Sequence, residues 1–513
     1  MVARVRVSSY VIGAPLTDER FYLLLHGIRG SLDKVPARIG DYLVAHRGGE
    51  VVSPPWDRDG PTHAHLTERG YLTDLPEEGE RQLLVDVATA LHNAALSLRP
   101  PTFFFIPAYT CNLRCPYCFQ PHEMHAGKGV YAKLMSREQV DDAFRVIDRF
   151  DRPGAMAEHL DLPREEPGTA DRRTTARSAL GLFGGEPLQD QTRDIVGHIA
   201  RRAGERGATL RAITNGVRLD LFTDLLGPDG LAELQITLDG MADLHDRRRI
   251  GPRFRKTFQR IVDNIDLALG RGVRVMVRIN VDRSNADELA EMNGFFLERG
   301  WGDHPAFSAE AAVVTGQAGG ETLVTRPELV EMLSAIRADQ DSCVAGYEGY
   351  AQSVLSRALA GNYPFTQVAN CGAETGMLMF DPRGDLYACW DEVGIAEHRV
   401  GTYHGGALRL DHEVARAWLS RFPGAIDQCS RCPYALIHTS GCAKHARDTS
   451  GSLFAAACEG FQSYFPRSLA ATYEEVERRL LGAAEWPDPR PATRHLPIVD
   501  VTNGRTRHSE MRC

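Results

Sequence analysis

From Pro101 onward, short apolar runs alternate with amphipathic helical stretches, and this alternation limits the fold more than any other feature of the chain. Strand-like runs occur at Phe103–Tyr109, Leu180–Phe183, Leu210–Ile213, Leu234–Leu238, Val273–Val281 and Ala306–Val314. Helical stretches follow them at Ser136–Phe150, Gln191–Arg206, Leu219–Leu226, Phe254–Arg271, Ala286–Arg299 and Arg326–Asp339. In the fourth of these, Phe258, Ile261, Val262, Ile265 and Leu269 share one face, as a helix laid on a sheet requires. Six strand–helix repeats predict an α/β fold, a parallel sheet curled into a partial (β/α)6 TIM-like barrel.

Cysteine placement comes next. Of eleven cysteines in 513 residues, none precedes Cys111, three fall at Cys111, Cys115 and Cys118, and six lie from Cys371 to Cys458. Cys343 and Cys513 stand apart. The amino terminus has no signal-peptide-length apolar run, so the expectation is a cytoplasmic protein whose bunched cysteines are metal ligands or reactive thiols rather than disulfides. Cys111-Asn-Leu-Arg-Cys115-Pro-Tyr117-Cys118 directly follows the first barrel strand, where barrel folds build active sites. Three thiolates suit an iron–sulfur cubane with one open iron. A zinc site completed by a distant fourth ligand is the competing reading.

The Cys-x3-Cys-x2-Cys spacing, with aromatic Tyr117 before the last cysteine, resembles the signature of radical S-adenosylmethionine (SAM) enzymes. In that family SAM chelates the open iron of a 4Fe–4S cluster and is cleaved to a 5′-deoxyadenosyl radical. The resemblance extends to the ends of later strands. Leu182-Phe-Gly184-Gly185-Glu186-Pro resembles the family's Gly-Gly-Glu motif, in which glycines admit the ligand and Glu186 meets the SAM ammonium. Thr214, Asn215 and Thr237 are expected at the ribose hydroxyls and Arg249 at the SAM carboxylate. Each polar residue alone also reads as a cap or turn former.

The downstream array, Cys371-x12-Gly384-x4-Cys389, then Cys429-x2-Cys432-x5-His438-x3-Cys442, then Cys458, resembles the SPASM extension of peptide-modifying radical SAM enzymes. That extension usually carries seven cysteines and two auxiliary 4Fe–4S clusters; here His438 stands at the fifth position. The resemblance implies three clusters in all, with Cys429, Cys432, His438 and Cys458 on one auxiliary cluster and Cys371, Cys389 and Cys442 on the other. His438 as a bystander, Cys343 as a further ligand, an open iron, and zinc-ribbon binding are the alternatives. Asp391, two residues past Cys389, is a candidate acid or base; a solvated loop acid is the plain alternative.

Residues 1–100 are expected to form a small winged-helix-like recognition domain. It would contain a hairpin of Val5–Ile12 with Phe21–Leu25, a helix starting at Ser31, and a helix near Glu77–Leu96. An extension that merely packs on the enzyme is the competing reading. Residues 101–340 would be the barrel, 341–465 a loop-rich iron–sulfur domain, and 466–513 a C-terminal helix and tail. Asp151–Ser178, rich in Arg, Glu, Pro and Gly without a period, is expected to be a mobile insertion. A net charge of −9 and the lack of any ~20-residue apolar stretch predict neither nucleic-acid nor membrane partners. The resemblance implies a maturase that takes a hydrogen atom from a ribosomally made precursor peptide, with a flavodoxin or ferredoxin as electron donor. Formylglycine formation of the sulfatase type, dehydrogenation of a small molecule, and a non-catalytic iron–sulfur or zinc sensor are the alternatives.

Overall fold

The computed structural model describes residues 5–163, 177–315, 323–359 and 368–481. Most of the expected insertion (164–176), the tail beyond 481 and Cys513 lie outside the described residues. The chain divides into two compact units. One draws on Met1–His92, Glu348–Asn370 and Arg421–Cys513, the other on Asn93–Tyr347 and Cys371–Ser420.

The second unit is built on an eleven-stranded sheet. Six strands run parallel in chain order: Thr102–Phe105, Ala179–Leu182, Leu210–Thr214, Leu231–Thr237, Arg274–Val281 and Phe307–Val313. The short strand Val344–Ala345 adds to the last of them, also parallel. At the other edge Leu378–Phe380 pairs parallel with Thr102–Phe105, matching Phe380 to Phe105. Asp385–Tyr387, Gly401–Thr402 and Arg409–Leu410 then continue the sheet antiparallel. The start of the second cysteine region therefore extends the parallel sheet rather than forming a separate domain at residue 341.

Strand alternation explains the layering. Val275, Val277, Ile279 and Val281 are buried, whereas Arg278 and Asn280 between them are half-buried and face the cavity described below. The helix Arg137–Phe150 is fixed at its start by Ser136, whose hydroxyl accepts from Gln139 N at 3.2 Å in a capping box. Thr325 and Glu328 do the same for Arg326–Asp339.

In the first unit Val11–Pro15, Phe21–His26 and Leu32–Pro36 form an antiparallel sheet with Phe21–His26 in the middle. The helix Ala37–Ala45 follows at once and packs Ile39 and Leu43 into a core with Val11, Leu24 and Val35. This corrects the expected helix from Ser31: Leu32–Pro36 is a strand, and Ser31 Oγ instead donates to Arg69 O at 2.7 Å. The helix Phe461–Leu481 meets this sheet, with Glu474 accepting from Thr17 and Glu477 3.0 Å from Lys34 Nζ.

Candidate active site

The carboxyl ends of the parallel strands surround a cavity of about 450 Å³. Cys111, Cys115 and Cys118 line it, and so do Tyr117, Gly184, Gly185, Glu186, Thr214, Asn215, Thr237, Arg249 and Asp391. Every residue expected to hold the first cluster or SAM thus lines one space, although they come from five separate stretches of chain.

The cysteine loop is tied at both ends. Cys111 N donates to His125 O at 3.2 Å, and Arg114 N donates to Ile250 O at 2.7 Å. Cys111 Sγ accepts from Leu113 N at 3.3 Å and from Asn215 Nδ2 at 3.8 Å. Burial pushes the Cys118 thiol up to about 11 and raises Cys111 and Cys115 as well. Buried thiols become thiolates readily only beside a strong positive charge, which bound iron supplies. Soft sulfur donors gathered around a roomy, partly polar cavity fit an iron–sulfur cluster. Among the described residues no three His, Cys, Asp or Glu side chains are set to hold a single metal ion.

Gly184 and Gly185 line the cavity and also set a tight turn. A Cβ on Gly185 would lie 2.1 Å from Tyr109 O and 2.5 Å from Thr110 O, and one on Gly184 2.5 Å from Ala108 O. Both glycines let this turn press against the backbone leading into the cysteine loop, where Gly185 N and Glu186 N donate to Ala108 O and Thr110 O. The Glu186 carboxyl is buried and already receives Leu188 N at 2.8 Å, Thr214 Oγ1 at 2.6 Å and Asn215 N at 2.6 Å. Burial raises it to about 7, against the pull of these donors. Glu186 therefore joins the second and third strand ends.

Arg249 is buried and donates to Tyr117 Oη at 2.6 Å, while its Nε has no hydrogen-bond partner among the described residues. Tyr117 in turn donates to Asp239, a wholly buried carboxylate that also receives Asn280 N at 2.8 Å. The sequence places Gln235–Gly240 and Arg278–Asp282 at strand ends facing the same pocket but gives Asp239, Gln235, Arg278 and Asn280 no individual role. The available signal was polar residues alternating with Leu234, Ile236, Val277 and Ile279, in strands that a covered parallel sheet would make continuously apolar. The sequence reading missed His125, which is buried, lines the cavity and lies 3.8 Å through Nε2 from Cys118 Sγ. Burial lowers His125 to about 4, so its ring is neutral at neutral pH.

Asp391 is half-buried in the turn Trp390–Glu392. The Trp390 ring fixes that turn edge-on against Phe104 at 4.5 Å and Phe183 at 5.0 Å between centroids. Cys371 and Cys389 belong to this same unit and Cys442 to the other. Cys343 lies where the edge strand begins and donates its N–H to Asn293 Oδ1 at 3.0 Å. Parallel pairing puts it at the amino-terminal end of the strands, away from the cavity.

In the first unit a second cavity, of about 220 Å³, is lined by Cys429, Cys432, His438 and Cys458, but not by Cys442. The His438 ring packs on Phe461 with centroids 4.3 Å apart. Burial pushes the Cys429 thiol up to about 11. The wholly buried Arg421 donates to the carbonyls of Leu453, Ser440, Gly441 and Ala455 at 2.5–3.0 Å, stapling the loops that carry Cys442 and Cys458. Nothing in the sequence around Arg421 signals this role.

No family model matches the chain. Among solved structures, native anSMEcpe with bound AdoMet, an anaerobic sulfatase maturase, aligns at a TM-score of 0.52 and 13% identity, over 75% of this chain and all of its own. The chain shares the fold of that enzyme. The same enzyme with AdoMet and the Cp18Cys peptide aligns at 0.50 and 14% identity, over 75% of this chain and 100% of that one. Streptococcus suis SuiB bound to the precursor peptide SuiA gives 0.45 and 12%, over 88% of this chain and 98% of SuiB. Among the described residues, no helix is long and apolar enough to cross a membrane.

Proposed function

We propose that the chain is a radical SAM enzyme that modifies a residue of a ribosomally made precursor peptide. The convergence of the three loop cysteines with Glu186, Thr214, Asn215, Thr237 and Arg249 on one cavity carries this reading. Cys111, Cys115 and Cys118 would hold a 4Fe–4S cluster, which with SAM would supply the radical chemistry that takes hydrogen from the substrate. Arg249 keeps its charge beside the cavity, oriented by Tyr117 and Asp239, and meets the SAM carboxylate. Thr214, Asn215 and Thr237 face the ribose. The Asp391 carboxylate would accept the proton that the substrate radical releases on further oxidation, with an auxiliary cluster as the acceptor of its electron. Cys429, Cys432, His438 and Cys458 hold an auxiliary cluster; Cys371, Cys389 and Cys442 are the ligands assigned to the other. Residues 1–100 capture the peptide, a flavodoxin or ferredoxin supplies electrons, and the chain works in the cytoplasm.

A second reading, formylglycine formation of the sulfatase type, is supported by the alignment to a sulfatase maturase. The two are separated by incubating the reduced holoenzyme and SAM with a short peptide encoded beside its gene and with a Cys-containing sulfatase peptide. Loss of two hydrogens from the first peptide alone supports precursor maturation. Conversion of cysteine to aldehyde in the second alone overturns it in favour of the sulfatase reading.

A further inference from the structure

We propose that His125 is a positioning residue whose Nε2–H bonds to the Cys118 sulfur and sets the reduction potential of the SAM-binding cluster. The inference rests on the reading above and adds a residue to it. His125 closes the cysteine loop from both sides. Its carbonyl receives Cys111 N at 3.2 Å and Arg114 Nη2 at 3.0 Å, tying it to the first cysteine. Its ring reaches the third, with Nε2 3.8 Å from Cys118 Sγ and 3.0 Å from Gln120 Oε1. Both of these partners are acceptors, which assigns the ring proton to Nε2. Nδ1 has no hydrogen-bond partner among the described residues, and the residue is 3% exposed. The short helix His122–His125 and the bond to Gln120 hold the imidazole in place, so that Nε2–H is shared between Gln120 Oε1 and the Cys118 sulfur before any electron arrives.

Reduction adds negative charge to the cluster and its thiolates. An N–H aimed at a ligand sulfur stabilises that charge and raises the potential, and hydrogen bonds to sulfur are among the factors that set iron–sulfur potentials. The three closely spaced cysteines cannot supply this donor themselves.

The test uses the anaerobically reconstituted full-length protein and follows the reduced-cluster EPR signal that changes on adding SAM. That response separates this cluster from the auxiliary ones. In a redox titration, His125→Phe is expected to lower the ratio of reduced to oxidised cluster about tenfold at fixed applied potential, ~59 mV for one electron. His125→Gln, which keeps an N–H donor, is expected to recover most of the loss. A His125→Phe protein with full iron and an intact SAM response, but an unchanged potential, overturns the inference. Should His125→Phe fail to assemble, the unaltered protein labelled with 15N-histidine carries the test. A nitrogen coupling on the SAM-responsive signal supports the bond, and its absence overturns it. No SAM-responsive signal in the unaltered protein overturns the functional reading itself, and this proposal with it.

Discussion

The two cysteine cavities use the same donor atom for opposite ends. The strand-end cavity has three cysteines and about 450 Å³, with polar groups at five strand ends; the smaller one has three cysteines, a histidine packed on Phe461 and about 220 Å³. Metal sites that do chemistry keep a position open, and sites that only hold or relay close their ligand set. The first cavity has the room and the polar lining to take a small charged molecule beside the three sulfurs. The second has four side chains around half the volume and Phe461 on the histidine. On the proposed reading the first is the reactive site and the second a closed one that exchanges electrons.

The largest effect that would test this contrast is loss of the open site alone. Cys118→Ala is expected to abolish 5′-deoxyadenosine formation and to remove about four irons per chain, one cubane, measured by metal analysis and product assay. Retained SAM cleavage would show that the three cysteines are not the reactive set. The converse change is Arg421→Met. It leaves four buried carbonyls without their donor and is expected to cost about 3–5 kcal/mol in chemical denaturation. Iron at Cys429, Cys432 and Cys458 should be lost while SAM cleavage persists. Loss of both together would mean that the two cavities are not independent.

A smaller effect is expected at Arg249. Arg249→Ala removes a buried cation from the open cavity and should lower the rate of SAM cleavage about 100-fold, ~2.7 kcal/mol, without changing iron content. Gly185→Ala puts a methyl against Tyr109 O and should lower stability by about 2–3 kcal/mol in thermal or denaturant unfolding. The smallest effect belongs to His438→Cys. Thiolate in place of imidazole is expected to lower the potential of the auxiliary cluster, read by redox titration, with SAM cleavage unchanged. An unchanged potential would show that His438 is a bystander.

Much of this contrast was legible in the sequence because its signals are local. The three-cysteine loop, the Gly-Gly-Glu turn and Thr214-Asn215 each end an apolar run, and in parallel strands all such ends meet at one rim. What the sequence concealed depends on contacts between distant segments. Asp239 lies 122 residues from Tyr117, and Arg421 reaches carbonyls 32 and 34 residues away at Leu453 and Ala455. The error at Ser31 has a different cause. The strand Leu32–Pro36 runs into the helix at Ala37 with no intervening loop, so Val35, Ile39, Tyr42 and Leu43 merge into one apparent helical period. Pro36 held the missed clue, since the residue before a proline is driven away from helical geometry.

The most direct measurement is SAM cleavage by the full-length protein, reconstituted with iron and sulfide without oxygen and reduced with dithionite. The expected result is 5′-deoxyadenosine and methionine in equal amounts, lost when any of Cys111, Cys115 or Cys118 is replaced by alanine. Zinc in place of iron, with no 5′-deoxyadenosine from a protein whose three cysteines are intact, would contradict the account.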